Sequence, residues 1–156
     1  MFDPEMQGFL QSGCGLLVAT VSADGEPHAT RGWGLDVVEL GPPALVRVLL
    51  DADDDRTLEH VAAGGAVAIT AANVLTLRSL QLKGRSQGLD AASPGDPERG
   101  DRYVRQFHAD VEVTDRVPWE TFERFFPASY VACVVSVEEM FDQTPGPGAG
   151  ARTDSR

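Results

Sequence analysis

The chain has 156 residues, of which 42% are hydrophobic and 24% charged, and its formal net charge is −11. That length suits one domain around one core, and the acidic balance excludes a general nucleic-acid binder, because phosphate contacts need a basic surface. The longest apolar runs are strand-sized, well short of the ~20 residues that span a bilayer, so no membrane association is expected.

At the N-terminus, "MFDPEMQGFL" has neither the basic start nor the apolar stretch of a signal peptide, which predicts a cytoplasmic protein. Asp3 and Pro4 read as the cap and first position of a short helix with Met6, Phe9 and Leu10 on its apolar side. "LLVATVSA" (16–23) follows as a strand, with a turn at Asp24-Gly25. The return strand 28–39 is interrupted by Gly32 and Gly34, the mark of a bulge or a close backbone approach. A further strand, 44–50, leads into "DDDRTLEHVAAGG" (53–65), a helix with aspartates at its start and glycines at its end.

"AVAIT" (66–70) is a compact strand, and "TLRSLQLKGRSQGL" (76–89) is a long alternating one. Leu80 and Leu82 fall on one face of it; Ser79, Gln81, Lys83 and Arg85 fall on the other. "DAASPGDPERG" (90–100) reads as a loop. Helical spacing returns at Tyr103, Val104, Phe107 and Val111, then at Trp119, Phe122 and Phe126, which would cover the barrel end or join an interface. The last strand is 129–141, and the Gly/Pro-rich segment 142–156 reads as a tail appended to a single domain, 1–141. About six strands linked as hairpins, with short helices inserted, predict a mainly β protein, a six-stranded antiparallel barrel.

The common catalytic signatures are absent: no G-x-S-x-G elbow, no H-E-x-x-H and no P-loop lysine. His28, His60 and His108 lie on different elements without ligand spacing, so no metal site is expected, and Cys14 and Cys133 form neither a disulfide framework nor a metal motif. What remains is a set of basic and hydroxyl groups on successive strands. Arg31 stands beside Gly32 and Trp33; Arg56 and Thr57 open the second helix, where free backbone N–H groups favour an anion; Ser79, Gln81 and Lys83 share a strand face. Lys83 is the sole lysine among 13 basic residues. Trp33 has two readings of equal weight, a ring that stacks on a planar cofactor and an ordinary barrel aromatic.

The succession "LLVATVSADGEPHATRGWG", "VRVLLDADDDRTLEHV", "GAVAIT" and "RSLQLKG" resembles the pyridoxamine 5′-phosphate oxidase-like family, the FMN-binding split β-barrels. The resemblance implies a homodimer with the cofactor in a groove at the subunit interface, and an oxidoreductase acting on a small-molecule substrate. It implies FMN, with the deazaflavin F420 or haem as alternatives, and a non-catalytic cofactor carrier as the alternative function. By the same resemblance Arg31, Gly32, Trp33, Arg56, Thr57, Ser79, Gln81 and Lys83 would bind the cofactor. Asp36 stands where the family's pyridoxamine phosphate oxidases carry a lysine. The tail is expected to fold over the bound flavin as a lid.

Overall fold

The computed structural model describes residues 2–153. Helix α1 (Pro4–Leu10) starts where Asp3 accepts the Met6 N–H at 2.8 Å, as the sequence predicts. The strands are β1 (Gly15–Val21), β2 (Pro27–Gly32), β3 (Gly34–Glu39), β4 (Ala44–Asp51), β5 (Ala66–Ala72), β6 (Ser79–Asp90), β7 (Tyr130–Asp142) and the two-residue β8 (Ala151–Arg152). Helix α2 (Asp55–Ala62) joins β4 to β5; α3 (Asp96–Asp115) and the short α4 (Trp119–Phe122) join β6 to β7.

Hydrogen bonding runs in the order β2-β1-β5-β6-β7-β4-β3, antiparallel throughout. The two ends of that order, β2 and β3, are consecutive in the chain and are separated by Trp33 alone. One strand therefore bends at Trp33 and serves both edges, which closes the sheet into a split barrel and leaves few unpaired edges. The Trp33 N–H donates to the Leu49 carbonyl at 2.9 Å and holds the bend against β4. The flanking glycines answer a steric demand: a Cβ on Gly32 would lie 2.9 Å from the Leu16 Cβ, and one on Gly34 would lie 3.1 Å from a Leu49 methyl.

The barrel interior follows strand alternation. Leu16 and Val18, Val46 and Val48, Ile69, Leu82 and Val135 are buried together. On β4 the outward residues Arg47 and Leu49 are buried as well, so this strand reads as a continuous apolar run. The cover is α3, under which Trp33, Leu49, Val104, Phe107, Phe122 and Ala132 form a second cluster.

Two expectations change. The predicted loop over 90–100 ends early, because α3 begins at Asp96, with Pro97 tolerated in its first turn. The tail is not structureless up to residue 153: after the Pro/Gly reversal, Gly150 N–H donates to the Asp142 carbonyl at 2.7 Å and β8 pairs with Phe141 and Asp142. Glycines at positive φ, Gly146 and Gly150, make that reversal possible. Residues 154–156 lie outside the described residues.

The start of α3 is fixed by charge. Arg47 makes a two-pronged contact with Asp96, at 2.7 and 2.8 Å, and donates from Nε to Asp90 at 2.6 Å. The Arg47 and Asp96 side chains are only 10% and 2% exposed, so the pair is shielded from water and salt. The adjacent guanidinium holds the Asp96 carboxyl below the ordinary aspartate range. A carboxyl with a depressed folded-state pKa contributes stability above its unfolded pKa and loses it as pH falls through the folded value. Asp96→Asn, which strands a buried cation, is expected to cost about 3–5 kcal/mol near pH 7. The gap from the parent protein should narrow as pH drops below about 4, where the parent carboxylate also protonates. Urea unfolding at neutral and acidic pH checks this, and a pH-independent gap would refute it.

Candidate functional site

The outward face of β2, β1, β5, β6 and β7 carries most of the sequence-derived candidates, and the register sets them in rows. Arg31, Leu17, Thr70, Gln81 and Phe141 are successive cross-strand partners. The next row reads Ala29, Ala19, Ala68, Lys83 and Glu139. On the other side, Gly15, Ala72 and Ser79 form a third. The alanines and Gly15 keep this surface shallow, and Leu17 stands on it 63% exposed.

Arg31 is the unusual member. Its guanidinium carbon lies 4.8 Å from the Phe107 ring centre, 5.2 Å from that of Trp33 and 5.4 Å from that of Phe122. These faces attract the cation through the ring quadrupoles. The side chain is half-buried, and desolvation pushes its pKa below the ordinary arginine value. Among the described residues no carboxylate and no hydrogen-bond acceptor pairs with it.

Around Arg31 the polar groups are donors with spare capacity. Gln81 donates from Nε2 to the Thr70 hydroxyl at 3.2 Å and accepts from Gln143 at 3.4 Å. Lys83 is exposed, with its ammonium 4.7 Å from the Phe141 ring centre. The Ser79 hydroxyl donates to the Leu77 carbonyl at 3.1 Å, while its backbone N–H donates to Thr144 in the tail. The tail hairpin thus lies along the Ser79 and Phe141 end of this face.

The register therefore brings Arg31, Ser79, Gln81 and Lys83 to one surface. The α2 pair behaves differently. Thr57 is fully buried; its hydroxyl donates to Asp54 Oδ2 at 2.8 Å and its N–H to Asp54 Oδ1 at 3.1 Å. The helix start already holds an anion, the Asp54 carboxylate, so its N–H groups are not an open cradle. Arg56 lines a cavity of about 410 Å³ with Ser22, Glu26, Pro27, Asp55, Glu59 and His60. Pro27 lies four residues along β2 from Arg31, a run of about 13 Å. Trp33 takes the barrel-aromatic alternative: it is 5% exposed, packs edge-on against Phe126 and supports Arg31 from below. Gly32 contributes only its lack of a side chain.

Sequence reasoning missed Thr70, Phe107, Phe122 and Phe141. Thr70 was legible as the polar alternate of "AVAIT"; the rings reach Arg31 through tertiary packing, which no local pattern encodes. Beneath this face, at the α2 end of the barrel, His28 lies 3.5 Å from Asp54 and the His60 Nδ1 is 2.9 Å from the Thr20 hydroxyl. Among the described residues no group of three or more His, Cys, Asp or Glu is placed to hold a metal, and no helix is long and apolar enough to cross a membrane.

No protein-family model matches the sequence, and no curated protein does. Solved structures do match. HupZ from Group A Streptococcus is 17% identical, covering 96% of this chain and 100% of its own, with a TM-score of 0.57. An F420 reductase is 17% identical over 86% of this chain and 94% of its own, with a TM-score of 0.54. A pyridoxamine 5′-phosphate oxidase candidate from Lactobacillus delbrueckii is 18% identical over 90% and 93%, with a TM-score of 0.53. The chain has the split-barrel fold of the pyridoxamine 5′-phosphate oxidase-like proteins.

Lys83 owes its outward position to the residue after it. Gly84 faces inward where the register slips and Glu138 is left unpaired, and a Cβ there would overlap the Ser136 carbonyl oxygen. Gly84→Ala is expected to destabilise by about 1–3 kcal/mol or more as β6 and β7 separate. Gly41→Ala, with open space around the new methyl, should be near neutral. Equal thermal midpoints for the two variants would contradict the close approach.

Proposed function

We propose that this chain is a flavin-dependent oxidoreductase that holds FMN on the outward face centred on Arg31 and acts on a small organic substrate. The observation that carries the reading is Arg31 itself. A half-buried guanidinium whose only partners are three rings has given up hydration without gaining a counter-anion. A phosphate seated on it restores that loss through charge-assisted, two-pronged hydrogen bonds. In a chain of net charge −11, a shielded local cation also selects the one anion that fits it. The likeness in fold to an F420 reductase and to a pyridoxamine phosphate oxidase candidate, both redox proteins by name, supports the same class of chemistry.

The donor set fits the group. Arg31 would hold the phosphate, and Gln81 and Thr70, one row position away, would orient a polar ring edge through amide and hydroxyl. Lys83 would supply a second positive charge at the opposite side of the face, and Phe141 an apolar wall. Bound flavin supplies hydride or electron transfer, while the side chains position it and limit water.

Leu17 and the surrounding alanines form an apolar surface that a second copy would cover, so we read the protein as a homodimer with the groove between subunits. The tail hairpin, beside Ser79 and Phe141, would wall the substrate space. F420 is the alternative cofactor, favoured by the likeness to an F420 reductase.

Purified protein titrated with FMN and with F420, followed by absorbance and fluorescence, is expected to bind one of them saturably. Arg31→Met should weaken that binding tenfold or more, the loss of a charge-assisted contact of about 1.5–3 kcal/mol. No saturable binding of either, or a Soret band with haem alone, would overturn the reading. Light scattering should give a dimer mass, with Leu17→Asp shifting the population to monomer; a monomeric parent protein that still binds flavin would refute the shared groove.

A further inference from the structure

On the opposite side of α3 from the aromatic cluster lies a polar cavity of about 390 Å³, lined by Gln11, Asp36, Arg99, Arg102, Tyr103 and Gln106. Its walls are fixed. Gln11 ends α1, and the next turn passes through Gly13 at φ +83°, tight enough against α3 that a Cβ there would overlap the Gln106 Cβ. The Tyr103 hydroxyl donates to the Leu10 carbonyl at 2.9 Å, tying α3 to α1. Arg99 bridges Asp36 of β3 at 3.4 Å and Asp96 at 3.5 Å.

Within these walls the bonding is incomplete. The Gln11 side-chain oxygen is the one buried side-chain polar atom among the described residues that lacks a partner. Such an atom costs free energy unless a donor reaches it. Across the cavity, Arg102 has no hydrogen-bond or ion-pair partner among the described residues, nor has the Gln106 amide. One side therefore presents acceptors, the Gln11 oxygen and the Asp36 carboxylate; the other presents donors, Arg102, Arg99 and Gln106. The volume is that of a small-molecule site.

We propose that this cavity binds a small zwitterion of the amino-acid class, its ammonium donating to Gln11 Oε1 and Asp36 and its carboxylate received by Arg102 and Gln106. A bare anion leaves the glutamine oxygen unpaired and faces the Asp36 carboxylate; a bare amine meets two guanidinium groups. Only a ligand carrying both charges satisfies both sides. The site is separate from the Arg31 face and does not rest on flavin binding.

The probe is glycine, with methylamine and acetate as its single-charge counterparts, titrated at millimolar concentrations into isotopically labelled full-length protein. Glycine is expected to shift the Gln11 side-chain amide and the Tyr103 backbone amide saturably, with each counterpart at least tenfold weaker. Gln11→Leu and, separately, the surface change Arg102→Gln should each weaken glycine tenfold or more while the remaining spectrum is retained. Absence of a saturable shift would overturn the proposal, as would acetate or methylamine binding as well as glycine, or unchanged affinity in Arg102→Gln. Should Gln11→Leu fail to fold, Arg102→Gln decides alone.

Discussion

The grip of Arg47 on Asp96 is the contact from which the functional surfaces follow. Everything outside the barrel between β6 and β7 is one long excursion, and it returns to the sheet because a buried guanidinium on β4 captures the first residue of α3. Fixing that end sets the helix axis. Tyr103 then meets α1, and Phe107 arrives over Arg31. Without the pair, a 20-residue helix of mostly polar composition would have little beyond Val104, Phe107 and Val111 to hold it. Buried ion pairs are often no more stabilising than apolar replacements, and their contribution here is to register, choosing one placement of α3 among several.

Barrel closure imposes the second constraint. Because β2 and β3 are one bent strand, the parity of β2 on the first edge and of β3 on the last is set by the geometry at Trp33. A slip of one residue would turn Arg31 into the core and Gly32 outward. Gly32 and Gly34 allow no side chain, so the bend has one place to occur. The same parity puts Arg31, Thr70 and Gln81 in line, so a closure rule and a binding surface share one cause.

Strand periodicity made the barrel legible. "SLQLKG" alternates so regularly that its outward set, Ser79, Gln81 and Lys83, follows from the sequence, and the structure places it there. The bend at Trp33 was visible only as two glycines, which signal a close approach without saying what approaches. The opening of α3 was missed because "SPGDP" carries turn residues, while the acceptor that Asp96 needs lies 49 positions away on β4. The helix start at Arg56 and Thr57 misled for a related reason. Free N–H groups favour an anion, but the local sequence "DADDDRT" already brings its own, and Asp54 takes the place.

Arg31 and Arg47 show how far residue type alone falls short of role. Both are outward-facing arginines on strands, both lie under α3 or its neighbours, and nothing in their flanking residues separates them. Arg47 is saturated: two carboxylates and a backbone carbonyl take its donors, and its pKa rises accordingly. Arg31 meets ring faces, which attract its charge yet accept none of its N–H bonds, and its pKa falls. The first arrangement is complete within the chain. The second is held in position by a costly desolvation and completed only by something from outside it, which is the condition of a binding residue rather than a structural one. An acidic chain with 13 basic residues has spent one of them on a place where only a ligand can answer it.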